Sequence, residues 1–408
     1  MRGSDSPSIL RQPRQVWAVA FACVVAFMGI GLVDPILPTI AADLDATPTE
    51  TELLFTSYLL VTGLAMLVTS WVSSRLGAKR TLLVGLALIV AFATLAAISG
   101  NVETVISFRA GWGLGNALFI STALATIVGA ASGGTGPAII LYEAALGLGI
   151  AIGPLLGGLL GSISWRGPFF GTAALMAVGF VAILTLLRED TTSRAAPVPF
   201  SAPFKALASP ALAALAAAAF LYNIGFFILL AYTPFPLGFS ALGIGFTFFG
   251  WGVGLAVTSV WVAPLLTSRL PRTTVIACAL PVLAVDLVIA GVFVESPATL
   301  VVTVVVGGLV LGVLNTVLTE SVMEATDHPR SVASSAYSAV RFIGGAVAPP
   351  LATLLAATVS EGTPYFVGAA AVLAAAVIVI ASHRALARVN GAPEPSRVEA
   401  AAISLGDA

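Results

Sequence analysis

The sequence predicts an all-α membrane protein in which twelve transmembrane helices form two pseudo-symmetric six-helix bundles. Three observations predict it. The first is composition: 58 % of the 408 residues are hydrophobic and only 9 % are charged, against about 25 % charged in an ordinary soluble chain. With a mean hydropathy of +1.04, so few charges cannot clothe a chain of this length in water-facing groups, so its solvent is largely lipid. The second is a succession of twelve apolar runs. The third is the placement of the basic residues. The net charge of −1 excludes a nucleic-acid partner, which would demand a basic face. Cys23 and Cys278 lie in apolar runs, and His328 and His383 are far apart, so neither a disulfide framework nor a metal or other cofactor is expected.

A bilayer-spanning helix needs about 20 mostly apolar residues. Runs of that kind, separated by polar or Gly/Pro punctuation, cover residues 16–40, 51–73, 81–100, 104–129, 137–162, 168–187, 209–232, 242–267, 273–294, 298–322, 331–358 and 363–383. The first is too long for a cleaved leader, carries Asp34, Pro35 and Pro38, and lacks a small-residue cleavage site. None shows the alternation of a β-barrel strand. Of the 18 basic residues, 15 fall at the N-terminus, on the even-numbered connections or in the tail. By the positive-inside rule both termini are cytoplasmic. The expected organisation is a cytoplasmic segment 1–15, a bundle 16–187, a Pro-rich cytoplasmic linker 188–208, a second bundle 209–384 and a polar cytoplasmic tail 385–408 without fixed structure. The first outer loop is acidic, with Asp43, Asp45, Glu50 and Glu52.

The two halves repeat at an offset of about 195 residues. Tyr142, Ala144, Gly149, Ala151 and Pro154 in the fifth run match Tyr337, Ala339, Gly344, Ala346 and Pro349 in the eleventh. Ser74-Arg75-Leu76 matches Ser268-Arg269-Leu270. A parallel repeat of this kind places a cavity at the repeat interface. Within the fifth run, Gly149, Gly153, Pro154, Gly157 and Gly158 spell G-x-x-x-G-P-x-x-G-G. Such glycines give a flat face for close helix contact, and Pro154 removes a backbone hydrogen bond.

That pattern resembles the antiporters of the major facilitator superfamily, and the resemblance covers the whole membrane part. Ser74-Arg75-Leu-Gly77-Ala-Lys79-Arg80 resembles the family's signature between helices 2 and 3. It departs in having Ser74 in place of an acid and Ala78 in place of a base, which removes an ion pair that latches the two halves. Arg109-Ala-Gly-Trp112-Gly113-Leu-Gly115 resembles the helix-4 pattern, with Trp112 where Gln is common. Trp165-Arg166-Gly-Pro-Phe169 resembles an outer-loop element, expected here as an interfacial aromatic and a loop cation. The resemblance implies the major facilitator fold and secondary active transport without enzymatic activity.

An acid at the bilayer centre costs about 2.5–3.5 kcal/mol even on the mildest scale, so each such residue needs a reason. Asp34 and Arg109 are expected at similar depth in helices that the resemblance places on the cavity, and are read as an ion pair. Glu143 has no basic residue at matching depth in its own half. Desolvation favours the neutral form of an unpartnered carboxylate, as a proton carrier requires, so Glu143 and Asp34 are the proton-coupling candidates. Arg341, near the midplane, is expected either to face Glu143 across the halves or to bind an anionic group. Asp286 is assigned a structural hydrogen bond, and Glu320 and Glu324 an interfacial place. Tyr58, Asn116, Phe119, Tyr142, Tyr222, Asn223, Phe226, Asn315 and Arg341 are the candidate cavity residues, beside further aromatics at Phe27, Phe227, Phe249, Trp251 and Phe342. A mostly apolar cavity with few polar anchors suits amphipathic organic molecules. The resulting expectation is proton-coupled export of such compounds, with the proton as coupling ion, by a monomer in a bacterial plasma membrane. Export of a single metabolite, siderophore or lipid is the alternative, ahead of an importer or a non-transporting sensor.

Overall fold

The computed structural model describes residues 12–132, 135–188 and 197–390, except for the side chains of Asp34, Pro38, Pro48, Thr49, Thr135, Gly136, Ile139 and Arg330. Among the described residues twelve helices are long and apolar enough to cross a membrane. They are α1 (Arg14–Gly31), α2 (Pro48–Leu76), α3 (Ala78–Ala97), α4 (Val102–Ala130), α5 (Thr135–Gly161), α6 (Gly167–Leu186), α7 (Pro210–Phe227), α8 (Ala241–Val257), α9 (Arg272–Val292), α10 (Pro297–Glu324), α11 (Arg330–Thr358) and α12 (Thr363–Ala381). Much of the chain before α1, part of the connection before α7 and the tail after residue 390 lie outside the described residues.

The first apolar run is not one helix. α1 ends at Gly31, and the chain continues as a 3-10 turn at Asp34–Ile36 and a short helix at Leu37–Asp43. Pro35 and Pro38 dictate this: each lacks an N–H and disfavours the α conformation in the residue before it. Asp34 therefore sits in a turn beyond α1, not inside the helix. Prolines also reshape α7 and α8. Each passes into a π-helical stretch, Ile228–Tyr232 and Thr258–Val262, then resumes as Pro234–Leu237 and Ala263–Thr267. The rings of Pro234 and Pro264 collide with carbonyls four residues earlier, and a widened turn relieves the clash. α2 opens on a capping box. The Thr47 backbone N–H donates to Glu50 Oε2 at 2.7 Å and the Glu50 N–H to Thr47 Oγ1 at 3.3 Å. That fixes one acid of the first connection. Glu52, expected in the loop, is fully buried on α2 with neither carboxylate oxygen hydrogen-bonded.

Contact between the first six and the last six helices runs mainly along two seams, α5 against α8 and α2 against α11. α3 packs on α4 and α6, and α9 on α10 and α12, at the periphery. Lipid is as apolar as leucine, so close backbone approach and van der Waals contact hold these helices together. The glycines of α5 show how. A Cβ on Gly153 would lie 2.6 Å from the carbonyl oxygen of Met28 on α1, and Cβ atoms on Gly149 and Gly157 would clash with the carbonyls of Val24 and Leu32. The stripe thus interlocks with every fourth carbonyl of α1. In the second half, Gly344 of α11 lies in the same way over the carbonyl of Phe220 on α7. The sequence repeat is therefore also a repeat of packing.

Candidate functional site

α5 has two working faces. Gly149, Gly153 and Gly157 face α1 in the same half. Gly147, Gly158 and Pro154 face α8 in the other half, where Ala256, Ala241 and Gly245 receive them. On α8, Gly252 lies against the backbone of Ala151. The α8 glycines carry no motif in the sequence, and only their place opposite α5 reveals their part. The second seam has one close approach of the same kind: Gly63 of α2 lies against Ala339 and Ile343 of α11.

Between the seams lies a narrow pocket with free room for about one water molecule. α1, α5, α7 and α11 form its wall. Phe27, Phe226, Phe227 and Phe342 supply aromatic surface, and Arg341 and Asn223 are the polar groups. Asn223 donates to the Ala219 carbonyl at 2.9 Å, which holds its amide in place.

The other cavity candidates do not line this pocket. Asn116 of α4 donates to the Tyr58 hydroxyl of α2, and the Tyr222 hydroxyl of α7 donates to Asn315 Oδ1 of α10 at 2.7 Å. All four side chains are buried. The pairs tie helices together within each half, because a buried amide or phenol must find a partner. Phe119 lies over Gly85 of α3, away from the pocket. Tyr142 stands behind the wall, edge-on to Phe27 at 5.5 Å. Trp251 and Phe248 of α8 pack together, and Trp251 meets Phe226.

Glu143 is buried on α5 at the boundary between the halves, and its Oε2 atom has no hydrogen-bond partner. It is not isolated, as its own half alone would suggest. Thr319 and Glu320 of α10 and Arg341 of α11 reach it from the other half. Arg341 in turn feels Tyr142, Tyr222 and Tyr337 as well as Glu143. No ion pair joins it to Glu143 among the described residues, so the two charges are neighbours but not in contact.

Arg109 is fully buried on α4. Its guanidinium lies over the Tyr58 ring at 4.3 Å and the Trp112 ring at 4.7 Å, and donates to the carbonyls of Gly29 at 3.3 Å and Leu54 at 3.5 Å. It joins α4 to α1 and α2. The Asp34 side chain, its expected partner, lies outside the described residues. Asp286 is buried on α9 beside Gly307 of α10, and its Oδ2 accepts no hydrogen bond. The structural hydrogen bond expected of it is absent among the described residues. Trp165, expected at the interface, is fully buried under Phe169, with Arg166 stacked 4.2 Å above its ring. Arg166 also donates to the Ser99 carbonyl at 2.9 Å.

The loop between α2 and α3 does local work. Gly77 has φ of 86°, a conformation that side chains disfavour, and so turns the chain sharply. Arg75 stacks on Trp71 at 4.4 Å. Lys79 donates to the Leu184 carbonyl near the end of α6 at 2.9 Å, where a cation suits the helix dipole. Arg80 is exposed. Ser74 accepts a hydrogen bond from the Val198 N–H at 3.1 Å. The serine that replaces the family's acid thus tethers the segment linking the two halves. On the second half, Arg272 pairs with Glu320 at 3.4 Å and Glu324 at 2.7 Å.

Twelve spans, two close-packed seams and a pocket between them define a membrane transport protein. The chain belongs to the Major Facilitator Superfamily, whose pattern it matches over residues 19–239. It is a multi-pass membrane transporter of small organic compounds and not an enzyme. It is 51 % identical to the multidrug efflux protein YfmO of Bacillus subtilis, over 95 % of this chain and 98 % of that one. It is 29 % identical to the tetracenomycin C resistance and export protein of Streptomyces glaucescens, over 44 % of this chain and 34 % of that one. The crystal structure of the human organic anion transporter MFSD10 (TETRAN) shares its fold, with a TM-score of 0.70 over 90 % of this chain and 99 % of that one, at 17 % identity.

Proposed function

We propose that this protein exports small amphipathic organic compounds from a bacterial cell in exchange for protons. The observation that carries this reading is the joint placement of an aromatic pocket and a buried acid at the boundary between the halves. The efflux activity named for the Bacillus relative supports it. A compound enters the pocket walled by Phe27, Phe226, Phe227 and Phe342 and is held by apolar contact, with Arg341 and Asn223 orienting it. The α5–α8 and α2–α11 seams then open on one side as they close on the other, as inverted or repeated bundles allow. Glu143 is the proton site. When it loses its proton, Arg341 and the Thr319 hydroxyl are placed to receive the carboxylate. Asp34, in the turn after α1, is the second proposed proton-coupling residue, with Arg109 as its charge partner. The protein works as a monomer surrounded by lipid in the bacterial plasma membrane, with both termini cytoplasmic as the basic loops indicate.

The test is accumulation of a panel of fluorescent amphipathic compounds in cells expressing the protein, with and without an uncoupler. Wild-type cells should exclude several compounds, and the uncoupler should abolish the exclusion. Glu143→Gln should abolish it too, at unchanged membrane abundance. Exclusion that survives the uncoupler would sink proton coupling, and full pH-driven transport by Glu143→Gln would sink Glu143 as its site.

A further inference from the structure

Arg341 stands apart from the other buried polar groups of the pocket. A guanidinium offers five N–H donors and keeps its charge at every relevant pH. Arg341 is half-buried on α11, faces the pocket, and makes no hydrogen bond or ion pair among the described residues. Its contacts are a ring, Phe342 at 6.0 Å, and the electrostatic neighbourhood of Tyr142, Glu143, Tyr222 and Tyr337. The tyrosines offer hydroxyls. The Tyr222 hydroxyl is already given to Asn315. Of the nearby acids, Glu320 is held by Arg272, and Glu143 is within range of Arg341 but not bonded to it. The wall is otherwise phenylalanine, isoleucine and leucine with one amide, Asn223.

A charge in such a site, with its donors unspent, favours an incoming partner of opposite sign. A cationic occupant would bring a second positive charge against Arg341 in an apolar surround. An anionic one would give the guanidinium its missing partner, in the two-pronged geometry that carboxylates and sulfonates share with arginine. We infer that the pocket is an organic-anion site: it takes an aromatic molecule bearing one carboxylate or sulfonate, with the ring among Phe27, Phe226, Phe227 and Phe342 and the anion on Arg341. This rests on the export reading and names its substrate class. Glu143 is the acid that shares the neighbourhood of Arg341 with the bound anion. Glu320, Thr319, Tyr142, Tyr222 and Tyr337 are the other polar groups facing this pair, and no further cation is among them.

The experiment uses the full-length purified protein and three probes of one shape: 1-naphthoate, its methyl ester, and trimethyl(1-naphthylmethyl)ammonium. Binding is read by titration of thermal stability and by calorimetry. Naphthoate should bind at least about tenfold more tightly than the ammonium. Arg341→Gln should weaken naphthoate by about tenfold or more and leave the ester unchanged. Arg341→Lys, which keeps the charge, should retain part of the naphthoate affinity, and it guards against loss of binding through misfolding. Tighter binding of the ammonium, or naphthoate affinity unaltered in Arg341→Gln, overturns the inference, as does failure of all three probes to bind. The export reading is judged separately by the cell panel: exclusion of neutral and cationic compounds alongside any of these results leaves export standing and removes only the anion class.

Discussion

Adding one methyl group to Gly158 tests whether the α5–α8 seam opens during transport. The new Cβ would lie 2.7 Å from the Ala241 carbonyl oxygen and 3.3 Å from the Leu242 Cα. Ordinary contact begins at 3.4 Å, so the seam must retreat by about 0.7 Å. The obstacle is backbone and cannot swing aside. Overpacking of this kind costs about 1–3 kcal/mol. Alanine also raises helix propensity by about 1 kcal/mol over glycine, but α5 is helical whether the seam is open or closed, so that gain cancels between the two states. The strain is felt only when the seam is closed. Gly158→Ala should therefore shift the balance toward the open seam by about 1–3 kcal/mol, or about 5–150-fold. Gly153→Ala is the control. Its Cβ would lie 2.6 Å from the Met28 carbonyl oxygen, inside one half, so it should lower stability without moving the balance. The assay is labelling of Ile244→Cys on α8 by a membrane-impermeant maleimide, in a background where the exposed Cys278 is serine. Ile244 is 1 % exposed, so labelling reports opening. Equal labelling rates with and without Gly158→Ala, or an equal increase from Gly153→Ala, would refute the division of α5 into a fixed face and a moving face.

Arg109→Gln should lower the melting temperature markedly, because it removes a desolvated cation from two aromatic rings, worth about 2 kcal/mol or more, along with two carbonyl contacts. An unchanged melting temperature would show that the residue carries no structural load. Asp286→Asn should leave both stability and efflux near wild type, since the acid has no partner to lose; a fall in efflux at unchanged abundance would make Asp286 a working group. Outside the membrane spans, Arg388 bonds to Asp327 and holds its carboxyl below the usual carboxylate range. A lowered value in the folded state means that this contact is fully present above the ordinary aspartate value of about 3.9 and is lost as pH falls through the lowered one. The carbon-13 carboxyl shift of Asp327, read by NMR, should titrate below the ordinary aspartate value. A midpoint at or above that value would contradict this.

Composition and the length of the apolar runs determine the solvent and the number of crossings, because a span is a property of some twenty consecutive residues. The family is equally legible, since Gly149, Gly153, Pro154, Gly157 and Gly158 keep a spacing that only close helix contact requires. The capping box at Thr47 and Glu50 and the turn at Gly77 use residues that the sequence marks only as a loop acid and a motif glycine. The tertiary structure decided everything that depends on which way a residue on a helix points. Buried helices of this kind are apolar on most faces, so periodicity gives no inward direction. Tyr58, Asn116, Tyr222 and Asn315 look like cavity anchors in sequence but bond to each other inside the two halves. Arg341 and Asn223 look no different and reach the pocket. Glu143 appears unpartnered only when its own half is read, because Thr319 and Arg341 lie more than 170 residues away and meet it only when the second bundle packs against the first. The same is true of the glycines of α8, whose small size acquires a meaning only opposite α5.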